Sequence, residues 1–533
     1  MPPGAWKWLR RLSQVVFFAV ACVLVAVTTY PLRPGVPYDV IARFSPLLAV
    51  SATAASRAFI AAFWPALIVV ALTLLVGRAF CGWVCPVGTL VDAGDFVIAK
   101  ATRRRRRESE TPRHRRWRIL LLVGVLVFAA FGIQLAGWFD PLSLFPRTLA
   151  ASIIPYVAMA LDKVTAAAYR VPAWEGTAAA LRQRFVAENV ALFGGHILVT
   201  ATLAVLILLG LARRRFYCRY VCPTGALLAV VGWGSPFGRR VVGVECAECK
   251  RCRDACRMGA IGGCGETTAQ AECTLCMDCL SACRRGAVSF GFGRTRPADN
   301  PTTWAPAISR RDFFIAAGAS LAAAPAVLAT DGRVQRDLFL VRPPGAGEET
   351  DFLARCVRCG ECIKVCLTQG LVPTHFEAGL TGLWTPRLLP RKGYCEYRCT
   401  LCTQVCPTDA LRPLTEAQKK KEVIGLALLD RTRCLPWAKN EDCNVCEEMC
   451  PTAPKAIESR GRGRLKPHVI ADRCVGCGIC EYACPVEGPA AIVVVGDRDR
   501  VYVAGGRAGG RRYRGGAGVN KEPNRLELFG GKA

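Results

Sequence analysis

Between Cys246 and Cys283 the spacing C-x-x-C-x-x-C-x-x-x-C occurs twice. Three thiolates separated by two residues each can wrap three corners of a cubane iron–sulfur cluster, and a fourth cysteine closes the set. In the two-cluster pattern the fourth cysteine of each run ligates the other cluster. On that rule Cys246, Cys249, Cys252 and Cys283 hold one [4Fe–4S], and Cys273, Cys276, Cys279 and Cys256 hold its neighbour. Cross-ligation makes the two clusters one folding unit. Disulfides suit separated pairs better than crowded triplets, and zinc favours two C-x-x-C pairs divided by a longer spacer.

Four more tetrads follow. Cys356, Cys359, Cys362 and Cys366 keep the full spacing, as do Cys474, Cys477, Cys480 and Cys484. Cys395, Cys399, Cys402 and Cys406 widen the first gap, whereas Cys434, Cys443, Cys446 and Cys450 stretch it with an inserted loop. Four such motifs pair either first with fourth and second with third, or in sequence. The two regular motifs lie outermost, which favours the first arrangement. Cys256, Cys283 and Cys366 precede Arg257, Arg284 and Leu367 where the ferredoxin pattern has proline; Pro407, Pro451 and Pro485 conform. Of the thirty cysteines, only Cys22 and Cys264 stand outside these tetrads and two C-x-x-x-C pairs, which leaves almost none for disulfides.

Those two pairs form an internal repeat. Arg78 to Gly88 reads RAFCGWVCPVG and Arg215 to Gly225 reads RFYCRYVCPTG. Cysteines at i and i+4 share a helix face, so Cys81 with Cys85 and Cys218 with Cys222 can face each other across a parallel repeat axis. The four thiols could bind a metal or cluster, cycle as disulfides, or pack.

These residues need elements to hold them. At 533 residues with 52% hydrophobic content, several domains and membrane spans are expected. Apolar runs lie at about Val15–Tyr30, Phe59–Val76, Ile119–Gly137 and Leu192–Leu211, giving a count of four spans. The net charge of +29 gathers in short loops beside these runs, notably Arg103 to Arg107 and Arg213 to Arg215. That is the signature of cytoplasmic loops, and nucleic acid is not the expected partner. The segments Pro31–Ala58 and Trp138–Asn189 are then extracytoplasmic, the latter with a surface helix around Ile154 to Tyr169. Intramembrane haem lacks its second histidine. A quinone site needs only an apolar pocket and a few polar groups, for which His196 and Asp140 are the candidates.

After a linker at Pro301 to Pro306, Ser309-Arg310-Arg311-Asp312-Phe313-Phe314 and an Ala-rich run to Ala329 read as a twin-arginine export signal, or as a fifth span. Either moves the four-motif part across the membrane. Short runs such as Ala490 to Val495 predict small strands in compact α+β units. Ala504 to Ala533, rich in Gly and Arg, reads as a disordered tail.

The chain resembles a fusion of two subunits of a quinol-oxidising module: the NapH-type membrane ferredoxin and the NapG-type exported four-cluster ferredoxin, with methylamine-utilisation relatives. The paired C-x-x-x-C-P motifs and two-cluster run carry the first likeness; the twin arginines and four motifs carry the second. The expected organisation is multidomain: a four-span α-helical membrane domain with a parallel internal repeat (1–240), a cytoplasmic α+β two-cluster ferredoxin (241–295), a linker with a fifth hydrophobic segment (296–332), a periplasmic four-cluster ferredoxin (333–500) and a tail (501–533). The resemblance implies six [4Fe–4S] clusters in a multi-pass protein of the bacterial inner membrane. Its partners would be lipid, the quinol pool and a periplasmic oxidoreductase or electron carrier. The alternative is a redox-sensing or maturation factor for a metalloenzyme.

Overall fold

A computed structural model describes residues 3–33, 35–102, 112–169, 175–177, 179–180, 196–241, 246, 248–293, 309–334, 339–461 and 464–496. The arginine run Arg103 to Arg107, the linker Pro301 to Pro306 and the tail from Ala504 lie outside them. The chain divides into two compact units. The first comprises Met1–Thr28, Pro34–Ala326 and Ala354–Cys359; the second comprises Thr29–Arg33, Val327–Leu353 and Gly360–Ala533.

The first unit is built on apolar helices whose long side chains point outward. Helix Trp64–Val76 buries Pro65, Ala66, Val69 and Thr73 while Leu67, Ile68, Leu72, Leu74 and Leu75 are exposed. Small and polar groups inside with leucines outside is the pattern a bilayer selects, because lipid solvates leucine and not backbone or hydroxyl groups. Among the described residues three helices are long and apolar enough to cross a membrane: Gly4–Val27, Pro141–Ala168 and Arg310–Thr330. The second and fourth apolar runs form shorter helices, Ala61–Val76 and Ile197–Leu211, and the third forms Pro112–Ala130.

The helix foreseen around Ile154 to Tyr169 is present as Ile154–Ala168, but it is the end of a continuous helical stretch beginning at Pro141, through a π-helical turn at Leu149–Ile153. Two prolines and the polar residues Ser143, Arg147, Thr148 and Ser152 made its first half read as loop. All four polar residues are buried; Arg147 donates to the Gly137 carbonyl at 3.1 Å and Thr148 to the Leu144 carbonyl at 2.8 Å.

The two-cluster ferredoxin begins at Phe237, slightly before the predicted boundary. Strand Phe237–Val241 pairs antiparallel with Val288–Phe292, in the register Phe237 with Phe292 and Val241 with Val288, and so brackets both motifs. In the second unit Leu426–Leu429 pairs antiparallel with Ile492–Val495, and Leu371–Pro373 pairs with Pro386–Leu388, to which Val341 adds a bridge. The strand predicted at Ala490 to Val495 is therefore present, as Ile492–Val495.

Candidate metal centres

The four regular cysteine loops share one backbone shape. Glu248 and Lys250 flank Cys249 at φ 51° and 60°, and Leu275 and Met277 flank Cys276 at 50° and 58°. Arg358 and Gly360 flank Cys359 at 58° and 82°, and Gly476 and Gly478 flank Cys477 at 71° and 81°. Left-handed backbone costs a non-glycine residue about 1–2 kcal/mol. It also turns successive N–H groups inward, a concavity suited to an anionic body. The third cysteine then sits in a short helix: Arg251–Ala255, Asp278–Ala282, Glu361–Lys364 or Ile479–Ala483.

In the second unit the thiols gather three-plus-one around separate cavities. Cys395, Cys399 and Cys402 line one together with Cys366. Cys434, Cys443 and Cys446 line another with Cys484. Cys474, Cys477 and Cys480 line a third with Cys450. Each fourth cysteine comes from the neighbouring motif, so the motifs pair in sequence, first with second and third with fourth. This corrects the favoured first-with-fourth arrangement. The reason is the strand pair Leu426–Leu429 and Ile492–Val495, which encloses motifs three and four as one unit.

In the two-cluster ferredoxin Cys256 lies in electrostatic range of Cys273, Cys276 and Cys279, and Cys252 in range of Cys246. Cys249 is exposed and Cys283 half-buried. Burial pushes the thiols up, Cys273 and Cys477 to about 12 and Cys276 and Cys434 to about 11. A metal core binding these four thiols must displace the protons that burial favours on them. Among the described residues no group of three or more His, Cys, Asp or Glu is set for a single metal ion. A cubane, ligated at four separated corners, wants the wider ring. The cages fit it: mostly apolar walls, four sulfurs and inward backbone donors.

Around the cages sit residues that spacing alone did not single out. Arg239 is buried and donates to Cys252 Sγ at 3.4 Å and to the Gly265 carbonyl at 2.7 Å. A Cβ on Gly265 would lie 2.6 Å from Cys252 Sγ. Lys419, 1% exposed, lies in electrostatic range of Cys395. Thr368, Thr408 and Thr452 each place a hydroxyl near the cysteine two residues before, at 3.7, 3.9 and 3.3 Å. That C-x-T recurrence was a visible signal; Arg239 and Lys419 gave none, being two among seventy basic residues. Arg257, standing where proline is usual, binds Asp278 at 2.6 Å and Asp92 of helix Pro86–Thr102 at 3.0 Å.

The C-x-x-x-C pairs come together in the first unit. Cys85 lies in electrostatic range of Cys81, Cys218 and Cys222, and Cys85, Cys218 and Cys222 are buried. Asp140 is fully buried as the N-cap of Pro141–Thr148. It accepts from Ser45 and Thr224 hydroxyls at 2.7 and 2.5 Å and from the N–H groups of Leu142 and Ser143 at 2.9 and 3.1 Å. Both its oxygens are engaged structurally. His196 opens helix His196–Leu208; its side chain lies outside the described residues. Within the same unit Ser143 Oγ donates to the Val357 carbonyl at 2.5 Å, in the loop between Cys356 and Cys359.

Cages of this kind on small antiparallel pairs define a ferredoxin-type iron–sulfur protein. The family described as a 4Fe-4S dicluster domain matches residues 439–487, and that described as a 4Fe-4S binding domain matches 58–105 and again 194–245. Methylamine utilization ferredoxin-type protein MauM of Methylorubrum extorquens is 36% identical over 201 residues, 35% of this chain and 89% of the relative. Ferredoxin-type protein NapG of Escherichia coli is 34% identical over 163 residues, 29% of this chain and 70% of the relative. Ferredoxin-type protein NapF of the same organism is 30% identical over 161 residues, 30% and 89% respectively. No solved structure matches. The chain belongs to the family of ferredoxin-type proteins that MauM and NapG represent.

Proposed function

We propose that this protein is a multi-pass membrane electron carrier that takes electrons from quinol and relays them through six [4Fe–4S] clusters to a periplasmic oxidoreductase. The observation that carries the reading is the three-plus-one grouping of thiols in separate cages, on a chain that also holds membrane-length apolar helices. When bound, the clusters supply one-electron transfer; the chain positions them and sets their potentials. Arg239 places positive charge on the Cys252 sulfur and Lys419 places it near Cys395, which favours the reduced, more negative core. Backbone donors do the same at the fourth cysteines: Ala260 N–H to Cys256 at 3.3 Å, Leu411 N–H to Cys406 at 3.4 Å and Ala456 N–H to Cys450 at 3.4 Å. On this reading residues 237–293 are cytoplasmic, Ser309–Ala329 acts as a twin-arginine signal or anchor, and the four-cluster part is periplasmic.

The test is anaerobic purification of the full chain in detergent. Iron of about 24 per chain, at about four per cube, and cluster reduction by quinol in electron paramagnetic resonance are expected. Clusters that stay oxidised with quinol at every accessible potential would refute the relay. Deleting the gene separates the alternative of a maturation factor. A fully metallated partner starved of electrons fits a relay, and a partner lacking its metal centre fits maturation.

A further inference from the structure

Each segment matched by the 4Fe-4S binding domain family, 58–105 and 194–245, contains only two cysteines. Neither can ligate a cluster by itself, since a cube or a two-iron core takes four protein ligands. The structure sets the two segments against each other. Arg78, three residues before Cys81, reaches into the second repeat: a Cβ on Gly225 would lie 2.8 Å from Arg78 Nη2 and 3.4 Å from Cys222 Sγ. Arg215, three residues before Cys218, reaches into the first, where its Nη1 donates to the Cys81 carbonyl and its Nη2 to the Gly88 carbonyl, each at 3.5 Å. The corresponding glycines also match. Gly88 N–H points at Cys85 Sγ at 3.4 Å, and Gly225 N–H points at Cys222 Sγ at 3.2 Å.

From this arrangement we infer that Cys81, Cys85, Cys218 and Cys222 ligate one further iron–sulfur cluster, shared between the repeats and flanked by the two exchanged arginines. The inference rests on the proposed iron–sulfur electron carrier and adds a seventh centre to it.

Three physical points support a metal–thiolate core over packed thiols. A neutral thiol sulfur is a weak acceptor, so the two backbone N–H donors aimed at Cys85 and Cys222 suit a sulfur that carries negative charge. Arg78 and Arg215 lie beside these thiols but are already paired with Glu272 and Asp92, so buried thiolates here would be costly without further positive charge, and a metal core supplies that compensation. Arg78, 1% exposed, has Nε without a hydrogen-bond partner among the described residues, although Glu272 and the Ala271 carbonyl take its Nη1 at 3.3 Å.

The centre is also wired to a neighbouring cage. Gly82, between Cys81 and Cys85, packs so tightly on the loop between Cys273 and Cys276 that a Cβ there would lie 2.4 Å from the Thr274 carbonyl. Beside it Trp83 Nε1 donates to the Leu275 carbonyl at 3.0 Å. Cys85, Cys218 and Cys222 share one continuous apolar core with Cys252, Cys256 and Cys279. A cluster here would pass electrons to the cluster of Cys256, Cys273, Cys276 and Cys279 across one layer of backbone.

The experiment uses the full chain, purified anaerobically, with Cys85→Ser and Cys222→Ser made singly and together. Each single variant should lose the same paramagnetic signal and about two to four irons, and the double variant should lose no more than either. Unchanged iron and spectra in both singles, losses that add, or a disulfide revealed by thiol counting in their place would overturn the inference. Arg78→Gln keeps all four ligands and guards against a folding artefact. Its iron should be retained while the midpoint potential of that signal falls; an unmoved potential counts against the flanking role. If quinol still reduces the remaining clusters while no signal is lost, the shared centre fails and the relay stands. If no cluster in the wild-type protein responds to quinol but the shared signal is present, the relay fails and the centre stands.

Discussion

At the scale of single residues, ligand identity and ligand partnership separate. The cysteine types and spacings were legible at once, because a cube demands thiols in a tight triplet. Which fourth cysteine completes which triplet was not, because spacing says nothing about the strands that enclose the motifs. Pairing in sequence predicts that Cys366→Ser and Cys395→Ser each remove one and the same cluster, and that the double variant loses about four irons, not eight. Cys366→Ser with Cys477→Ser should lose twice as much. Iron and sulfide assays with electron paramagnetic resonance decide it; a shared loss for Cys366 and Cys477 would restore the first-with-fourth scheme. Lys419 belongs to the same cage. With its ammonium in electrostatic range of Cys395, Lys419→Met should lower the midpoint potential of that cluster alone, read by redox titration, because the reduced core loses a compensating charge.

At the scale of elements, the αL turns and the buried ion pairs make the geometry rigid. Gly476 admits no side chain: its φ is 71° and a Cβ would sit 2.4 Å from the backbone of Gly425. Gly476→Ala should cost about 2 kcal/mol or more and release the cluster of Cys450, Cys474, Cys477 and Cys480, seen as lost iron and a lower unfolding temperature. Lys250, exposed at φ 60°, should accept glycine with all clusters retained. Asp92 ties three elements together. It takes Arg215 at 2.7 and 2.8 Å, Arg257 at 3.0 Å and Gln14 at 2.9 Å. Asp92→Asn leaves buried Arg215 without its counter-charge at a cost of about 3–5 kcal/mol, measurable as loss of monodisperse protein on mild heating in detergent. Sequence reading saw Arg215 as loop charge and Arg257 as a replacement for the usual proline. Periodicity cannot distinguish a basic residue at a helix end from one turned into the protein interior, and it misread Pro141–Ile153 as loop for the same reason, since its polar groups pair inside.

At the scale of the whole chain, the claim to test is that the cluster-bearing parts lie on opposite sides of the membrane. Helix Arg310–Thr330 is the one membrane-length segment described between the strand ending at Phe292 and Leu340, and only 6% of its apolar window is buried. An apolar helix so little covered by protein is one that lipid could surround. Its basic start sits level with that of helix Pro112–Ala130, since Arg116 pairs with Asp312 at 3.2 Å, so two arginine-rich ends share one face, as the positive-inside rule asks of a cytoplasmic side. One crossing between Phe292 and Leu340 inverts the side. Alkaline phosphatase fused after Leu340 should therefore be active and after Phe292 inactive, with fluorescent-protein fusions giving the reverse. Equal readouts at both points would place all the cages in one compartment. Electrons drawn from quinol would then have no route across the bilayer through this chain, and a one-sided polyferredoxin would replace the relay.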